Sequence, residues 1–279
     1  MKKILIIGIN GFIGSYLRDH FLKKGYHVLG TTSSHRRIEE AVDYVIHCAS
    51  QQPRSHLSFH DYYQGNIGSL IETLDWMKTK EVKRIISFSS ATVYADRGGD
   101  ILFEESYVDP LNDYAISKFV ADQILKVRTA HDGLSSFCFR MPSVFGPAQI
   151  GGLVHTYYTY AKKNTDFDIF SQGQLKRNLL HVEEVAQACE RGIENFGHKH
   201  GFDLYLLGSA NSLTMKEIAH NIAEYLESRS NINLSKENAP VEINWVFCLD
   251  KIKKELGFIP LSIEDGLKRY IQEMEGKDV

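Results

Sequence analysis

The stretch Gly8-Ile-Asn-Gly11-Phe-Ile-Gly14 decides how the rest of this chain is interpreted. It follows the short apolar run Lys3-Ile-Leu-Ile-Ile7 and opens a helical pattern that ends at Gly25. This order predicts a strand, a tight turn and a helix. The first glycine permits the turn, the second lets backbone N–H groups approach a pyrophosphate, and the third lets helix and strand pack closely. No lysine stands where a P-loop needs one, and Asn10 with the glycines disfavours a signal peptide.

The composition is typical of a soluble cytoplasmic protein. The 279 residues are 43% hydrophobic and 24% charged, with a formal net charge of −3. No basic surplus favours nucleic acid as a partner, and no apolar run is long enough to make a membrane a partner. The four cysteines are widely spaced, which predicts reduced core residues. They are Cys48, Cys138, Cys189 and Cys248.

Strand-like and helical runs alternate along the chain. The predicted strands are Val28–Thr32, Tyr44–Cys48, Arg84–Ser89 and Ser135–Met141, and the predicted helices lie near Tyr63–Lys78, Asp113–Ala130, Glu183–Asn195, Thr214–Glu227 and Ser262–Glu273. This rhythm predicts an α/β fold, a doubly wound parallel sheet of the Rossmann type. The rhythm breaks after Pro147, which indicates a smaller interleaved C-terminal α/β cap lobe. The predicted dinucleotide-binding domain comprises 1–148 with returns near 176–206, and the predicted cap comprises 149–175 and 207–279.

An ordered series of short motifs runs almost from end to end of the chain. The series comprises GxxGFIG at 8–14, Val45-Ile-His-Cys-Ala-Ser50, Asn66-Ile-Gly68, Ser89-Ser-Ala-Thr-Val-Tyr94, Tyr114-Ala-Ile-Ser-Lys118, Arg140-Met-Pro-Ser-Val-Phe-Gly-Pro147, Arg177-Asn-Leu-Leu-His-Val182 and Leu256-Gly-Phe-Ile-Pro260. It resembles the extended short-chain dehydrogenase/reductase family, of the NAD-dependent epimerase/dehydratase type. The resemblance implies an enzyme that acts with a nicotinamide dinucleotide on a nucleotide sugar.

Ser90, Tyr114 and Lys118 are the predicted catalytic residues. A phenol exchanges a proton with the substrate oxygen, an ammonium one helical turn away favours the tyrosinate, and a serine hydroxyl hydrogen-bonds the same oxygen. In the family the lysine also holds the nicotinamide ribose. A second Tyr-x-x-x-Lys pair, Tyr158 and Lys162, lies in the predicted cap. The first pair is preferred, because only Tyr114 opens a helix that follows the strand ending near Ser90.

The resemblance places the dinucleotide along the carboxyl ends of the strands. The predicted contacts are Gly8, Asn10, Gly11, Phe12, Ile13, Gly14, Thr32, Ser33, Arg36, Arg37, Cys48, Ala49, Ser50, Lys118, Met141, Pro142 and Ser143. NAD-selective members carry an acid where Thr32 stands, and hydroxyl and guanidinium groups follow it here. NADP(H) is therefore the preferred cofactor, with NAD(H) as the alternative. Only ten residues separate Thr32 from Asp43, so the family's third strand is predicted to be missing or vestigial.

The predicted substrate is a nucleotide-diphosphate sugar. Its predicted contacts are Ser90, Thr92, Tyr114, His155 and Arg177. In the family, an arginine at the position of Arg177 contacts the diphosphate. Ala91-Thr92 stands where dehydratases carry an Asp-Glu pair, and the predicted phosphate-binding second strand fits an exchangeable cofactor. We therefore prefer an NADPH-dependent reductase of a 4-keto-6-deoxy nucleotide sugar. An NAD(P)-dependent epimerase and a non-catalytic NADP(H)-sensing Rossmann protein are the alternatives.

The remaining predictions concern metals, the entrance to the pocket and assembly. His56 and His60 have the spacing of metal ligands on a helix, but no third ligand is evident, so no metal site is predicted. The loop from Gln51 to His60 follows a strand and is expected to overhang the pocket. Family members often dimerise through the helices near 63–78 and 113–130, so a homodimer is expected.

Overall fold

The computed structural model describes residues 1–32, 38–94, 101–238 and 244–276. The strands are β1 Lys3–Ile7, β2 His27–Thr31, β3 Tyr44–His47, β4 Arg84–Ser90, β5 Ile101–Leu102, β6 Ser135–Met141, β7 Ser143–Phe145, β8 Phe167–Ile169, β9 Lys176–Arg177, β10 Leu179–His181, β11 Gly201–Leu206, β12 Leu213–Thr214, β13 Ile232–Leu234 and β14 Val246–Phe247. The helices are α1 Phe12–Lys23, α2 Phe59–Tyr62, α3 Ser69–Thr79, α4 Asp113–Asp132, α5 Gly152–Lys163, α6 Val182–Asn195, α7 Met215–Tyr225, α8 Asp250–Leu256 and α9 Ile263–Met274.

Six strands form one central parallel sheet in the order β11-β6-β4-β3-β1-β2. Helices cover both faces, so the inner strands are continuous apolar runs; β3 is buried along its whole length. The predicted α/β fold with a doubly wound parallel sheet is thus confirmed. All four cysteines are free, and Cys138 and Cys189 are buried in the core.

The edge of the sheet at β2 departs from the usual family arrangement. In the described residues no strand pairs with β2 on its outer side, in agreement with the short spacing between Thr32 and Asp43. The segment that begins at Ile38 instead lies along α3. Trp76 Nε1 donates to the carbonyl of Ile38 at 3.2 Å, and Lys80 Nζ donates to the carbonyl of Glu39 at 3.1 Å. Among the residues that the structure describes, no third strand forms a layer over the adenosine end of the predicted pocket.

The helix predicted near 63–78 is not a single α-helix. A π-helical segment, Tyr63–Gly68, joins α2 to α3. Its Asn66 is buried, and the amide donates to Ser117 Oγ at 2.8 Å while its oxygen accepts from the backbone N–H of Gln51 at 2.7 Å. Such turns are frequent at functional sites, because the extra residue re-aims a side chain. The apolar periodicity that predicted the helix does not register this extra residue.

A second hydrophobic cluster lies in the carboxyl-terminal half of the chain. Side chains of α5, α7 and α9 form it, including Tyr157, Ile218 and Tyr270. Two other clusters, one of which includes Ile6 and Phe139, belong to the central sheet. The cap lobe expected at 149–175 and 207–279 stays a prediction.

Glu184 joins the start of α6 to the segment before α9. Its carboxylate accepts hydrogen bonds from the backbone N–H of Leu261 at 2.8 Å and of His181 at 3.2 Å. Burial raises the pKa of Glu184 to about 7, although these hydrogen bonds oppose the shift. The folded protein therefore binds a proton here at pH values where the unfolded chain has already released it.

We expect this carboxyl to make the free energy of unfolding fall between the usual pKa of 4.5 and about 7. The loss reaches the order of 3 kcal/mol, because ionisation is disfavoured only in the folded state. Urea denaturation at several pH values should show a weaker decline for Glu184→Gln than for the wild type. Glu217→Gln is the control, since hydrogen bonds from Thr214 lower the pKa of Glu217 in the corresponding cap of α7. If the free energy of unfolding declines equally with pH in the wild type and in Glu184→Gln, the raised pKa of Glu184 is not the cause.

Candidate active site

The glycine-spaced turn is packed too closely for side chains. Gly8 has a φ of +84°, and a Cβ there would lie 2.8 Å from the backbone nitrogen of Ala49. A Cβ on Gly14 would lie 2.1 Å from the carbonyl oxygen of Gly8. The first turn of α1 has no side-chain cap and no acidic residue, so its N–H groups favour an anion.

A cavity of about 650 Å³ opens beside this turn. It is lined by Gly8, Asn10, Gly11, Thr32, Cys48, Ala49, Ser50, Gln51, Asp61, Gln64, Gly65, Ser69 and Glu72. The first seven were predicted cofactor contacts, and the last six, from the loop after β3 and from the α2–α3 segment, were missed. Their only signal was the expected overhang of the loop that begins at Gln51. The close glycines, the uncapped helix and this volume fit a dinucleotide.

The other predicted cofactor contacts lie in three places. Phe12, Ile13 and Gly14 form the first turn of α1. Met141 ends β6 directly opposite Ser90, and Pro142 and Ser143 follow it into β7. Ser33, Arg36 and Arg37 lie outside the described residues, so their predicted contact with a phosphate stays a prediction.

Ser90, Tyr114 and Lys118 converge at the carboxyl end of β4. Ser90 ends this strand, and its Oγ accepts from the backbone N–H and the hydroxyl of Thr92 at 3.2 and 2.9 Å. Asn112 caps α4 by accepting from the N–H of Ala115 at 2.9 Å, which places Tyr114 in the first turn and Lys118 in the second. All three predicted catalytic side chains are buried.

The ionisation of Tyr114 is governed by its surroundings. Burial raises its pKa to about 12, and a hydrogen bond with Ser90 opposes this shift. The Tyr62 ring packs edge-on against the Tyr114 ring, with centroids 6.0 Å apart. The Tyr62 hydroxyl in turn accepts from the backbone N–H of Arg54 at 3.2 Å. Tyr62, which sequence reasoning missed, thus connects the overhanging loop to the proposed catalytic phenol.

Lys118 points toward the end of the neighbouring strands. Its Nζ donates to the carbonyl of Phe88 at 2.6 Å and to Ser50 Oγ at 3.4 Å. Ser50 also donates to Asn66 Oδ1 at 3.0 Å. Through these contacts, Ser50 joins the lysine of α4 to the π-helical asparagine, and Ser50 itself lines the cavity.

The predicted substrate residues are less closely grouped. Thr92 lies beside Ser90, as described. Arg177 in β9 donates to the Lys176 carbonyl at 3.1 Å and lies close enough to Tyr157 to affect its pKa. His155 lies in α5, and its Nδ1 is buried without a hydrogen-bond partner in the described part of the chain. A role of Arg177 and His155 in substrate binding stays a prediction.

The second Tyr-x-x-x-Lys pair links α5 to the residue that follows α9. Tyr158 donates to Glu275 Oε1 at 2.7 Å, and Lys162 donates to Glu275 Oε2 at 2.8 Å. Both side chains thus bind one carboxylate that follows α9. This geometry supports the choice of Tyr114 and Lys118 over the second pair.

We expect Tyr158→Phe to retain wild-type catalytic rates. Its free energy of unfolding should be about 1 kcal/mol lower than that of the wild type, because it loses one hydrogen bond. Urea denaturation and a steady-state assay of the same preparation measure both quantities. A large loss of rate without loss of stability would refute the structural role.

Among the described residues, no group of three His, Cys, Asp or Glu side chains is arranged to hold a metal ion. Within the same residues, no helix has the length and apolar character needed to cross a bilayer.

Comparison with known proteins adds independent observations. The chain is 23% identical over 308 residues to a putative UDP-glucose 4-epimerase of Methanocaldococcus jannaschii, covering 99% of each chain. It is 23% identical over 203 residues to a dTDP-4-dehydro-6-deoxyglucose reductase of Escherichia coli, covering 70% of this chain and 62% of that one. Its fold is similar to a UDP-glucuronic acid 4-epimerase from Bacillus cereus solved with UDP-glucuronic acid and NAD, with a TM-score of 0.84, 20% identity and coverage of 98% and 99%.

A family model described as the NAD dependent epimerase/dehydratase family matches residues 4–208. This range contains the glycine turn, the end of β4 and the first two turns of α4, where the candidate site lies. The chain therefore belongs to the NAD dependent epimerase/dehydratase family of enzymes.

Proposed function

We propose that this enzyme is an NAD(P)-dependent epimerase of a nucleotide sugar. The observation that carries the proposal is that Ser90 hydrogen-bonds Tyr114, while Lys118 donates to Ser50, which lines the cavity at the glycine turn. Three relatives named as epimerases match 96–99% of the chain, whereas a dTDP-4-dehydro-6-deoxyglucose reductase matches 70% of it. This ranking differs from the sequence-based preference for a reductase, which stays the second candidate.

The proposed residues would hold the dinucleotide at its pyrophosphate and at its nicotinamide end. The uncapped N–H groups of the first turn of α1 would bind the pyrophosphate beside Gly8 and Gly11. Ser50 and Lys118 would hold the nicotinamide end, with the lysine ammonium donating to ribose hydroxyls. When bound, the nicotinamide supplies the acceptor and donor of hydride at the sugar carbon.

Tyr114 moves the proton in both half-reactions. As a tyrosinate it removes the proton from a sugar hydroxyl while hydride leaves the same carbon, which gives a keto sugar. It then returns that proton to the oxygen when hydride is delivered to the opposite face. Ser90 donates a hydrogen bond to the oxygen, and the Lys118 charge favours the tyrosinate in the loaded site.

The neighbours of Ser90 argue against dehydration as the reaction. Ala91 and Thr92 carry no carboxyl group, and the Thr92 hydroxyl is engaged with Ser90 at 2.9 Å. Eliminating water needs an additional acid and base beside the keto sugar. Interconversion or reduction at one carbon needs only the phenol and the hydride carrier.

The proposed substrate is a sugar carried on a nucleoside diphosphate. Arg177 supports this proposal, because its planar guanidinium suits bidentate contact with a diphosphate. The relatives named for UDP-glucose and UDP-glucuronic acid suggest the first sugars to test. The homodimer expected from the family stays a prediction, which size-exclusion chromatography with light scattering would test.

A reductase is the second candidate, and one observation favours it. Thr32 lines the cavity where an acid would otherwise bind adenosine ribose hydroxyls. A site without that carboxylate accepts the phosphate of NADP(H) at less electrostatic cost. The preference for NADP(H) over NAD(H) stays a prediction, because Ser33, Arg36 and Arg37 lie outside the described residues.

One experiment separates the two candidates. The purified enzyme is incubated with UDP-glucose, UDP-glucuronic acid or UDP-N-acetylglucosamine, each with NAD⁺ or NADP⁺. It is also incubated with a dTDP-4-keto-6-deoxy sugar and NADH or NADPH. An epimerase converts a UDP-sugar to its stereoisomer without net change in nicotinamide absorbance, as chromatography of the products would show. A reductase consumes reduced nicotinamide only with the keto sugar. If neither epimerisation nor consumption of reduced nicotinamide occurs with any member of the panel, the proposal is overturned.

A further inference from the structure

A buried carboxylate lies one helical turn beyond Lys118 on α4. Asp122 is 4% exposed, and its Oδ2 accepts from Ser89 Oγ at 2.8 Å and from Arg140 Nε at 3.0 Å. Cys138 Sγ donates to Oδ1 at 3.3 Å. These three partners all come from β4 and β6, the two strands that end at the proposed active site.

These contacts fix the ends of β4 and β6 relative to α4. Ser89 and Arg140 lie opposite each other in the parallel register, and Ser90 and Met141 form the next pair along. Ser89 precedes Ser90 directly in the chain. Asp122 therefore connects the helix that carries Tyr114 and Lys118 to the strand end that carries Ser90.

Arg140 is buried with Asp122 and lies over the Tyr94 ring, with its guanidinium carbon 4.8 Å from the centroid. A buried ion pair contributes little net stability, because desolvation offsets most of the attraction. Removing one partner is costly, however, since it leaves an uncompensated buried charge. The pair therefore holds a fixed negative group close to the proposed catalytic lysine without adding net charge to the core.

Few charged or titratable groups face Lys118 in the described structure. Burial lowers the pKa of Lys118, and Asp122 is the first of the groups that raise it, followed by Cys138 on β6 and Cys48 after β3. Burial, more than any neighbour, raises the pKa of Tyr114, and Asp122 adds to that rise. The Asp122 carboxylate thus raises the pKa of both Lys118 and Tyr114.

We propose that Asp122 is a positioning residue of the active site, which anchors the strand end bearing Ser90 and supplies the negative charge that acts on Lys118 and Tyr114. This inference rests on the proposed roles of Ser90, Tyr114 and Lys118. It goes beyond them, because Asp122 touches neither substrate nor cofactor and acts only through its neighbours. Its spacing of four residues from Lys118 is visible in the sequence, but its partners are not.

The proposal predicts the direction in which pH dependence changes. In Asp122→Asn, both Lys118 and Tyr114 lose a negative neighbour, so both limbs of the kcat/KM profile move to lower pH and the maximal value falls about tenfold. Arg140→Gln leaves the carboxylate without its cation, and both limbs move to higher pH. A purely structural role would lower the amplitude of the profile and leave its midpoints in place.

NADH binding gives a readout that needs no sugar. Fluorescence titration measures the Kd of NADH at a series of pH values, and binding weakens where Lys118 loses its proton. We expect this weakening at lower pH in Asp122→Asn and at higher pH in Arg140→Gln. If no sugar is converted but these shifts occur, the proposed reaction fails while the role of Asp122 stands.

The controls separate charge from packing. Asp122→Glu keeps the charge and is expected to keep the wild-type midpoints. Asp132→Asn removes an aspartate from the same helix, where it pairs with Arg128 at 2.6 Å, and should leave the midpoints unchanged. If Asp122→Asn does not fold, Arg140→Gln alone tests the direction in which the pH midpoint of NADH binding shifts. An unchanged midpoint in folded Asp122→Asn or folded Arg140→Gln would overturn the proposal.

Discussion

Replacing Tyr114 with phenylalanine lowers kcat for the proposed epimerisation about 10²–10⁴-fold, the usual contribution of a positioned general acid–base group. The hydroxyl that exchanges the proton is lost, while the buried ring and its contact with Tyr62 are kept. Steady-state assay with the converted UDP-sugar measures the loss, and fluorescence titration should give an unchanged Kd for NADH. The matched control is Tyr158→Phe, which removes the corresponding hydroxyl of the second Tyr-x-x-x-Lys pair.

The result also tests the non-catalytic alternative. A protein that only senses the ratio of NADPH to NADP must bind the dinucleotide, but it does not need the Tyr114 hydroxyl. If Tyr114→Phe leaves every measured conversion unchanged, the acid–base assignment fails and the sensor interpretation gains support. Loss of conversion with retained NADH binding is the outcome that an enzyme predicts.

Substituting Gly14 with alanine should have the second largest effect. The added methyl group would lie 2.1 Å from the Gly8 carbonyl oxygen and 3.0 Å from Ile9 Cα, both backbone atoms that cannot rotate away. The turn must shift, which costs about 1–3 kcal/mol of stability. The N–H groups of the first turn of α1 shift with it, so we expect NADH to bind at least about tenfold more weakly.

Urea denaturation and NADH titration measure the two effects of Gly14→Ala. Gly197→Ala is the control, since no heavy atom lies within 4 Å of the position that its Cβ would take. Wild-type affinity in a stable Gly14→Ala variant would show that the turn does not hold the dinucleotide.

The fold was predictable because its main signals are local. The apolar run at Lys3–Ile7, the glycine spacing and the alternation of strands and helices each depend on neighbouring residues, and β6 lies at the predicted Ser135–Met141. The helix predicted near Tyr63–Lys78 lies where it was expected, but its first six residues are π-helical instead of α-helical. Its π-helical turn depends on the buried contacts of Asn66, which no periodicity reveals.

The candidate site was predictable only in part. The approach of Ser90 to Tyr114 and Lys118 follows from strand and helix order together with the family motif. The hydrogen bonds of Asp122 to Ser89 and Arg140 join residues 33 and 18 positions apart in the chain, so they depend on sheet register. The cavity wall from α2 and α3 likewise depends on how those helices pack across the ends of the strands.

The short connection after β2 has a consequence for how the protein forms. The adjacent strands β3, β1 and β2 all lie within the first 47 residues. Contacts between residues close in sequence incur a smaller loss of chain entropy, and such regions form early. We therefore expect half of the central sheet to assemble during synthesis, before the ribosome has produced the strands that complete it.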